Sequence, residues 1–199
     1  PNPLFAGGRS PELVSFTAIV GVPWQDLAQN PSNAASPVKT SSQMEADGSW
    51  AYLLEGVDPF MRESIAVRTG TSPVTGEDVS GENSINGGDR TIADGSDLQY
   101  TCIFGLDTPI PSGPDCSDCL DASCTDPLCQ GDTQVAAKAF PGVRQLAVVR
   151  SLGDRGIAGS ICPGVETIQK PTGMTTRSTG YEPPITQLET RLFRHLPQE

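Results

Sequence analysis

Histidine is nearly absent from this chain: its one histidine, His195, lies close to the C-terminus. A nucleophilic serine would need that imidazole beside it, and no Gly-x-Ser-x-Gly sequence presents such a serine. Gly159-Ser160 is the segment most similar to that motif, and its small neighbours are typical of the end of a strand. A glycine-rich loop for nucleotide phosphates is also missing from the sequence. These absences favour a protein that is not an enzyme.

Basic residues are few as well: 13 Lys and Arg stand against 24 Asp and Glu, which gives a net charge of −11. Nucleic acids and anionic membrane surfaces both select clustered lysine and arginine, so the sequence disfavours both as partners. No apolar run in the sequence approaches the length of a membrane span, about 20 residues. No signal-peptide pattern follows Pro1, and we interpret the chain as a processed product or a piece of a longer precursor.

Glycine and proline are abundant, with 21 and 18 residues, and predict a loop-heavy chain with short regular elements. The 199 residues suit a single domain, or the C-terminal part of a larger one, with long loops at about 30–48, 68–96 and 105–132. Runs of β-branched and aromatic residues predict strands over Glu12–Val22, Trp50–Leu54, Asp97–Phe104 and Gly156–Cys162. Helical segments are expected at Trp24–Leu27, Asp58–Ile65 and Thr133–Phe140, while Arg144–Arg150 fits either a helix or a strand.

A final helix is predicted to start at Pro183, because apolar residues recur there at helical spacing: Ile185, Leu188, Leu192 and Leu196. Short strands interleaved with short helices favour an α/β layered architecture with long loop insertions. An all-β sandwich with a C-terminal helix is the alternative fold.

Cysteine is concentrated in one acidic loop, Asp115–Cys129, which contains four of the six cysteines and four aspartates. An even count suits three disulfides in an oxidising compartment, so we expect an extracellular, periplasmic or cell-surface location. Cys102 and Cys162 lie in strand-like runs and could bridge two core elements, which leaves Cys116, Cys119, Cys124 and Cys129 to pair among themselves. Four thiolates at this spacing could instead hold zinc.

Calcium is the cofactor that the acidic loop suggests, since calcium takes about six to eight oxygen ligands and carboxylates supply them. The candidate ligands are Asp115, Asp118, Asp121 and Asp126. Their spacing does not match an EF-hand, and aspartate is also common in turns for its own hydrogen bonding. A weaker second candidate is the region of Asp89, Asp94 and Asp97.

Four segments of the sequence resemble a group of uncharacterised secreted bacterial proteins: Phe16–Leu27, Asp58–Ile65, Asp97–Phe104 and Lys138–Pro163. Those proteins look like divergent members of the von Willebrand factor A class, in which a closing strand is followed by a loop and a final helix. The resemblance implies an open α/β sheet and a role in adhesion or assembly. The Asp-x-Ser-x-Ser metal motif of the class is missing here, so the chain matches only the later part of such a domain.

The function that these observations favour is a non-enzymatic, secreted or cell-envelope module for protein–protein assembly or adhesion. Its partner would be another protein or an upstream segment of the same precursor, because a sheet cut midway exposes apolar strand surface. Two alternatives remain open from the sequence. One is an extracellular hydrolase or redox enzyme whose site is completed elsewhere, and the other is a structural shell or filament subunit.

Overall fold

The computed structural model describes residues 14–92, 95–117, 119, 124–162, 164–167, 176–178 and 182–195. Its strands are β1 (Phe16–Val20), β2 (Cys102–Ile110), β3 (Cys129–Gln130), β4 (Thr133–Ala139), β5 (Gly156–Ser160), β6 (Val165–Thr167) and β7 (Thr176–Ser178). Its α-helices are α1 (Trp24–Leu27), α2 (Ser41–Ala46), α3 (Ser49–Leu54), α4 (Val143–Ser151) and α5 (Glu182–His195). Single 3₁₀ turns cover Pro59–Met61 and Gly153–Arg155.

A two-stranded parallel sheet, β1 beside β5, forms the centre of the apolar half of the molecule. Small residues in β5 let helices approach both of its faces. A Cβ added to Gly156 would lie 2.4 Å from the carbonyl oxygen of Val149 in α4, and one added to Gly159 would lie 2.7 Å from Pro184 in α5. The sheet is therefore the middle layer between α4 and α5, as an α/β layered architecture requires.

Helices α1, α2 and α3 complete this apolar half, and Leu27, Met44, Trp50 and Leu53 pack in its main core cluster. The strand predicted over Trp50–Leu54 is wrong, because this segment is α3. Its buried apolar residues are three apart, which is helical spacing, and the aromatic content alone misled the prediction. The loop predicted at 30–48 contains α2, which begins with a capping box between Thr40 and Gln43.

An antiparallel sheet in the order β2–β4–β3 forms the second half. The helix predicted over Thr133–Phe140 is wrong, because that segment is β4. Its alanine, lysine and glutamine favour a helix locally, but pairing on both edges with β2 and β3 overrides that weak preference. Strand β2 starts at Cys102 rather than Asp97 and extends to Ile110, into the loop predicted at 105–132.

The segment 68–92 has no helix or strand, as predicted, but it is not a surface excursion. Val79 and Asn86 are fully buried, and Ile85 and Arg68 are 5% and 4% exposed. Polar side chains fold inward around the Arg68 guanidinium, so hydrogen bonds rather than apolar periodicity order this segment.

The fold class is therefore mixed α/β, with one small parallel sheet, one small antiparallel sheet and the short hairpin β6–β7. The all-β sandwich alternative is wrong, because helices rather than a second sheet cover the faces of the β1–β5 pair. The predicted final helix is confirmed as α5. Within the described ranges, no helix combines the length and apolarity needed to cross a membrane.

Candidate functional site

All six cysteines form disulfides: Cys102–Cys162, Cys116–Cys129 and Cys119–Cys124. The first begins at β2 and ends just after β5, so it joins the two halves of the molecule, as expected for a bridge between core elements. The other two lie within the acidic loop, where the sulfurs of Cys119, Cys124 and Cys129 are within 4.8 Å of one another. No cysteine is free in this form. A zinc site here would need thiolates, which the disulfides remove.

The two aspartates of the acidic loop that the structure describes are already paired with cations. Asp115 accepts from the Lys138 ammonium at 2.8 Å and from the Gln134 amide at 3.1 Å. Asp126 accepts from Arg90 at 2.9 Å and from the Tyr100 hydroxyl at 3.2 Å. A calcium ion would have to compete with these partners for both carboxylates.

A charged cluster on the antiparallel sheet supplies those cations. The Arg90 guanidinium lies 3.7 Å from the centre of the Tyr100 ring, a cation–π contact. Asp97 accepts from Arg90 at 2.6 Å and from Lys138 at 2.9 Å. Partial burial opposes ionisation of Asp97, but hydrogen bonds from Lys138 and from the Leu98 N–H outweigh it and lower the pKa of this carboxyl. Burial, reinforced by the charge of Asp126, raises the pKa of Tyr100.

Calcium binding by the acidic loop stays a prediction, and Asp118 and Asp121 lie outside the described residues. In the second candidate region, Asp89 forms a buried pair with Arg68 and Asp97 belongs to the charged cluster, while Asp94 is not described. The side chain of His195 is likewise outside the described part.

A crevice of about 250 Å³ lies at the carboxyl ends of β1 and β5, where open α/β sheets commonly bind ligands. The described residues of its lining include no acid, base or free thiol: they are Pro23, Trp24, Gln25, Ser84, Ile85, Cys102, Ile103, Cys162 and Gly164. These residues offer shape and hydrogen bonding.

Two facing carboxyl groups, Asp26 and Asp58, were not singled out by the sequence analysis. They are 1% and 0% exposed. A hydrolase with a carboxylate pair must admit substrate between them, and this pair is sealed inside the apolar half. In the sequence Asp26 follows Gln25 and Asp58 follows Val57, and neither position carries a signal of burial.

The outer edge of β1, along Phe16, Thr17 and Ile19, has no strand beside it among the described residues, and we call it the open edge. Phe16 and Ile19 are 39% and 37% exposed, whereas β5 is buried at all five positions. Helices α4 and α5 cover the two faces of this sheet, so the unusual feature of β1 is its outer edge. Within the described ranges, β1 pairs with no strand other than β5. An isolated backbone bridge joins Pro141 to Gly21, which lies just after the end of β1.

The backbone of the open edge is consistent with a missing strand. The Ile161 N–H donates to the Val20 carbonyl at 2.9 Å, so the peptide groups of Val20 face β5. Peptide groups alternate between the two edges of a strand, and those of Thr17 and Ile19 therefore face away from β5. The Thr17 hydroxyl is buried and has no hydrogen-bond partner in the part of the chain that the structure describes.

Comparison with known proteins returns nothing for this chain: no family model, no curated protein and no solved structure matches it. The von Willebrand factor A resemblance stays a prediction, and the fold is mixed α/β with two small sheets.

Proposed function

We propose that this protein is a disulfide-stabilised, extracytoplasmic assembly module that binds an apolar β-strand of a separate protein along the open edge. One observation carries the proposal: among the described residues, no strand pairs with the outer edge of β1, and Phe16 and Ile19 along it are partly exposed. A strand added there would satisfy the outward peptide groups of Thr17 and Ile19, in the manner of β-augmentation. It would also cover the Phe16 and Ile19 side chains.

The chemistry of the edge supports a strand as the occupant rather than a helix or a small ligand. An edge strand presents a row of backbone donors and acceptors, and proteins normally protect such edges with charge, proline or a covering segment. The sequence of β1, Phe-Thr-Ala-Ile-Val, contains neither a charged residue nor a proline. Apolar side chains on the partner would complement Phe16 and Ile19.

Three disulfides support the extracytoplasmic part of the proposal, because disulfides persist in oxidising compartments and are rare in reducing ones. Nothing in the crevice or in the sealed carboxyl pair favours an enzymatic function over assembly.

Site-specific photocrosslinking tests the proposal in the cells that naturally produce the protein. A photoreactive amino acid replaces Ile19 in the full chain, and the matched control replaces Ile65, an exposed isoleucine away from the sheet with 49% of its surface accessible. We expect position 19, but not position 65, to crosslink to one separate protein that mass spectrometry then identifies.

Other outcomes would overturn the proposal. A crosslink to a second copy of the chain would favour a shell or filament subunit, and a crosslink within the same precursor would assign the edge to an upstream segment. Equal crosslinking from both positions, or none from either, would mean that the open edge binds no dedicated strand.

A further inference from the structure

Two buried carboxyl groups lie in helix α1 and at the start of the segment 58–72. Asp26 lies in α1, directly after β1, and Asp58 precedes the 3₁₀ turn at Pro59–Met61. The Asp58 carboxylate accepts from the Phe60 N–H at 2.8 Å and from the Ser72 hydroxyl at 3.3 Å. These donors stabilise the ionised form of Asp58.

Asp26 has no such donors. In the part of the chain that the structure describes, neither of its carboxyl oxygens accepts a hydrogen bond, and the group that it faces is the Asp58 carboxyl. Two ionised carboxylates in contact inside a core repel each other strongly, whereas a proton on one of them turns the contact into a hydrogen bond. Because Asp58 already has donors, the proton belongs on Asp26.

Lys39 is the cation nearest to Asp26, and it is committed elsewhere. Its ammonium donates to the Ser49 hydroxyl at 2.8 Å and pairs with Asp47 at 3.0 Å. It reaches Asp26 only at the backbone carbonyl, at 3.4 Å. Burial and, next, the charge of Asp58 raise the pKa of Asp26, while Lys39 opposes them weakly.

Arg68 is the cation that faces Asp58, and it is also committed. Its guanidinium pairs with Asp89 at 2.6 Å inside the core. Burial raises the pKa of Asp58 despite the Phe60 N–H and the more distant charge of Arg68. Neither carboxyl of the pair therefore has a cation of its own, and a proton is the charge that balances them.

We propose that Asp26 and Asp58 share one proton and form a pH-sensitive latch between α1 and the segment 58–72. Loss of the proton at rising pH leaves two buried negative charges in contact and drives α1 away from that segment. Since α1 follows β1 directly, the latch connects pH to the packing of the end of that strand.

The sign of the effect follows from the raised pKa of Asp26. A carboxyl whose folded-state pKa lies above its unfolded value, about 3.9, favours the folded state fully below that unfolded value. The contribution is then lost as the pH rises through the folded-state pKa. Acid conditions thus close the latch and alkaline conditions open it.

Thermal unfolding as a function of pH tests the latch with Asp26→Asn, whose carboxamide can donate to Asp58 at every pH. We expect the Tm of the parent protein to fall by several degrees between about pH 5 and pH 9, and that of Asp26→Asn to stay nearly level. The control Asp132→Asn removes an exposed carboxyl of the antiparallel half and should keep the parent slope. Carboxyl ¹³C shifts should show Asp26 protonated at neutral pH.

Parallel Tm slopes for the parent and Asp26→Asn would overturn the proposal, as would a ¹³C titration that shows both carboxyls ionised at neutral pH. Repeating the pH scan with calcium chloride and with a chelator tests whether a bound cation, rather than a proton, neutralises the pair. Stabilisation of the parent by calcium, absent in Asp26→Asn, would mean that a cation rather than a proton balances the pair and would overturn the latch.

Discussion

The two halves of the molecule are stabilised by different means. In the parallel half, Leu146, Val149 and Ile157 pack with Trp50 and Leu53 in one apolar cluster. In the antiparallel half, two disulfides, a buried ion pair and the charged cluster around Tyr100 replace much of that apolar contact. A chain with 36% apolar residues can fill one core well, and the second half compensates with covalent and charged contacts.

The two halves also differ in how they present their candidate sites, the acidic loop and the open edge. The antiparallel half pairs its described loop aspartates internally, with Lys138 and Arg90. The parallel half leaves the open edge of β1 exposed. Disulfides and ion pairs thus engage the described cysteines and aspartates of the acidic loop, whereas β1 keeps partly exposed apolar side chains.

Removing Arg68 should have the largest effect and would break the antiparallel half. Arg68→Met leaves the Asp89 carboxylate buried without its cation, and breaking such a pair costs about 3–5 kcal/mol. Urea unfolding monitored by circular dichroism measures the loss. A loss below about 1 kcal/mol would mean that water reaches Asp89 once the guanidinium is gone.

Separating the two halves comes next. Cys102→Ala combined with Cys162→Ala opens a bridge between residues 60 positions apart, and loop entropy predicts a loss of about 4 kcal/mol. The control variant, Cys116→Ala with Cys129→Ala, removes a disulfide between residues 13 positions apart. Its loss should cost about 3 kcal/mol. If the control pair costs as much or more, the acidic loop rather than the bridge between halves is the main covalent constraint.

A substitution that creates a cavity tests how much the apolar half depends on its packed core. Leu146→Ala in α4 truncates a fully buried side chain and should cost about 3 kcal/mol, with a loss that is the same with and without the Cys102–Cys162 bridge. Val148→Ala changes a neighbour that is 47% exposed and should stay within about 0.5 kcal/mol. Double-mutant cycles measure the independence. Strong coupling would show that the two halves unfold as one core.

The smallest effect is expected where an ion pair lies at the surface. Arg150 and Glu45 are 2.8 Å apart, but their side chains are 38% and 58% exposed. Arg150→Met should change the free energy of unfolding by less than about 1 kcal/mol, and added salt should reduce that difference further. A larger loss would mean that α2 depends on this contact for its position against α4.

Sequence patterns correctly predicted the elements in which the local preference of the residues matches the structure that they adopt. Strand β5, the turn at α1 and helix α5 were expected, because buried runs and a helical stripe are local signals. Strand β4 and helix α3 were missed for opposite reasons. The residues of β4 favour a helix locally, but pairing with β2 and with the neighbouring β3 makes it a strand. The aromatic residues of α3 favour a strand, but packing in the apolar core makes it a helix.

The acidic loop was recognised from its cysteines, but the partners of its aspartates were not. Lys138 and Arg90 lie 23 and 36 residues from the carboxylates that they pair with, at spacings without a sequence signature. Asp26 and Asp58 were missed in the same way. A buried carboxyl and an exposed one look alike in a sequence, since burial is a property of the assembled core.

The sequence by itself determined the acidity, the even cysteine count and the apolar runs that become β1 and β5, because these depend on residue type and near neighbours alone. Only the tertiary structure decided the disulfide pairing, the ion pairs of the loop aspartates, the sealed carboxyl pair and the open edge of β1. Most of these depend on residues far apart in the chain meeting in space, and even the short-range disulfides are one choice among several pairings that the sequence allows.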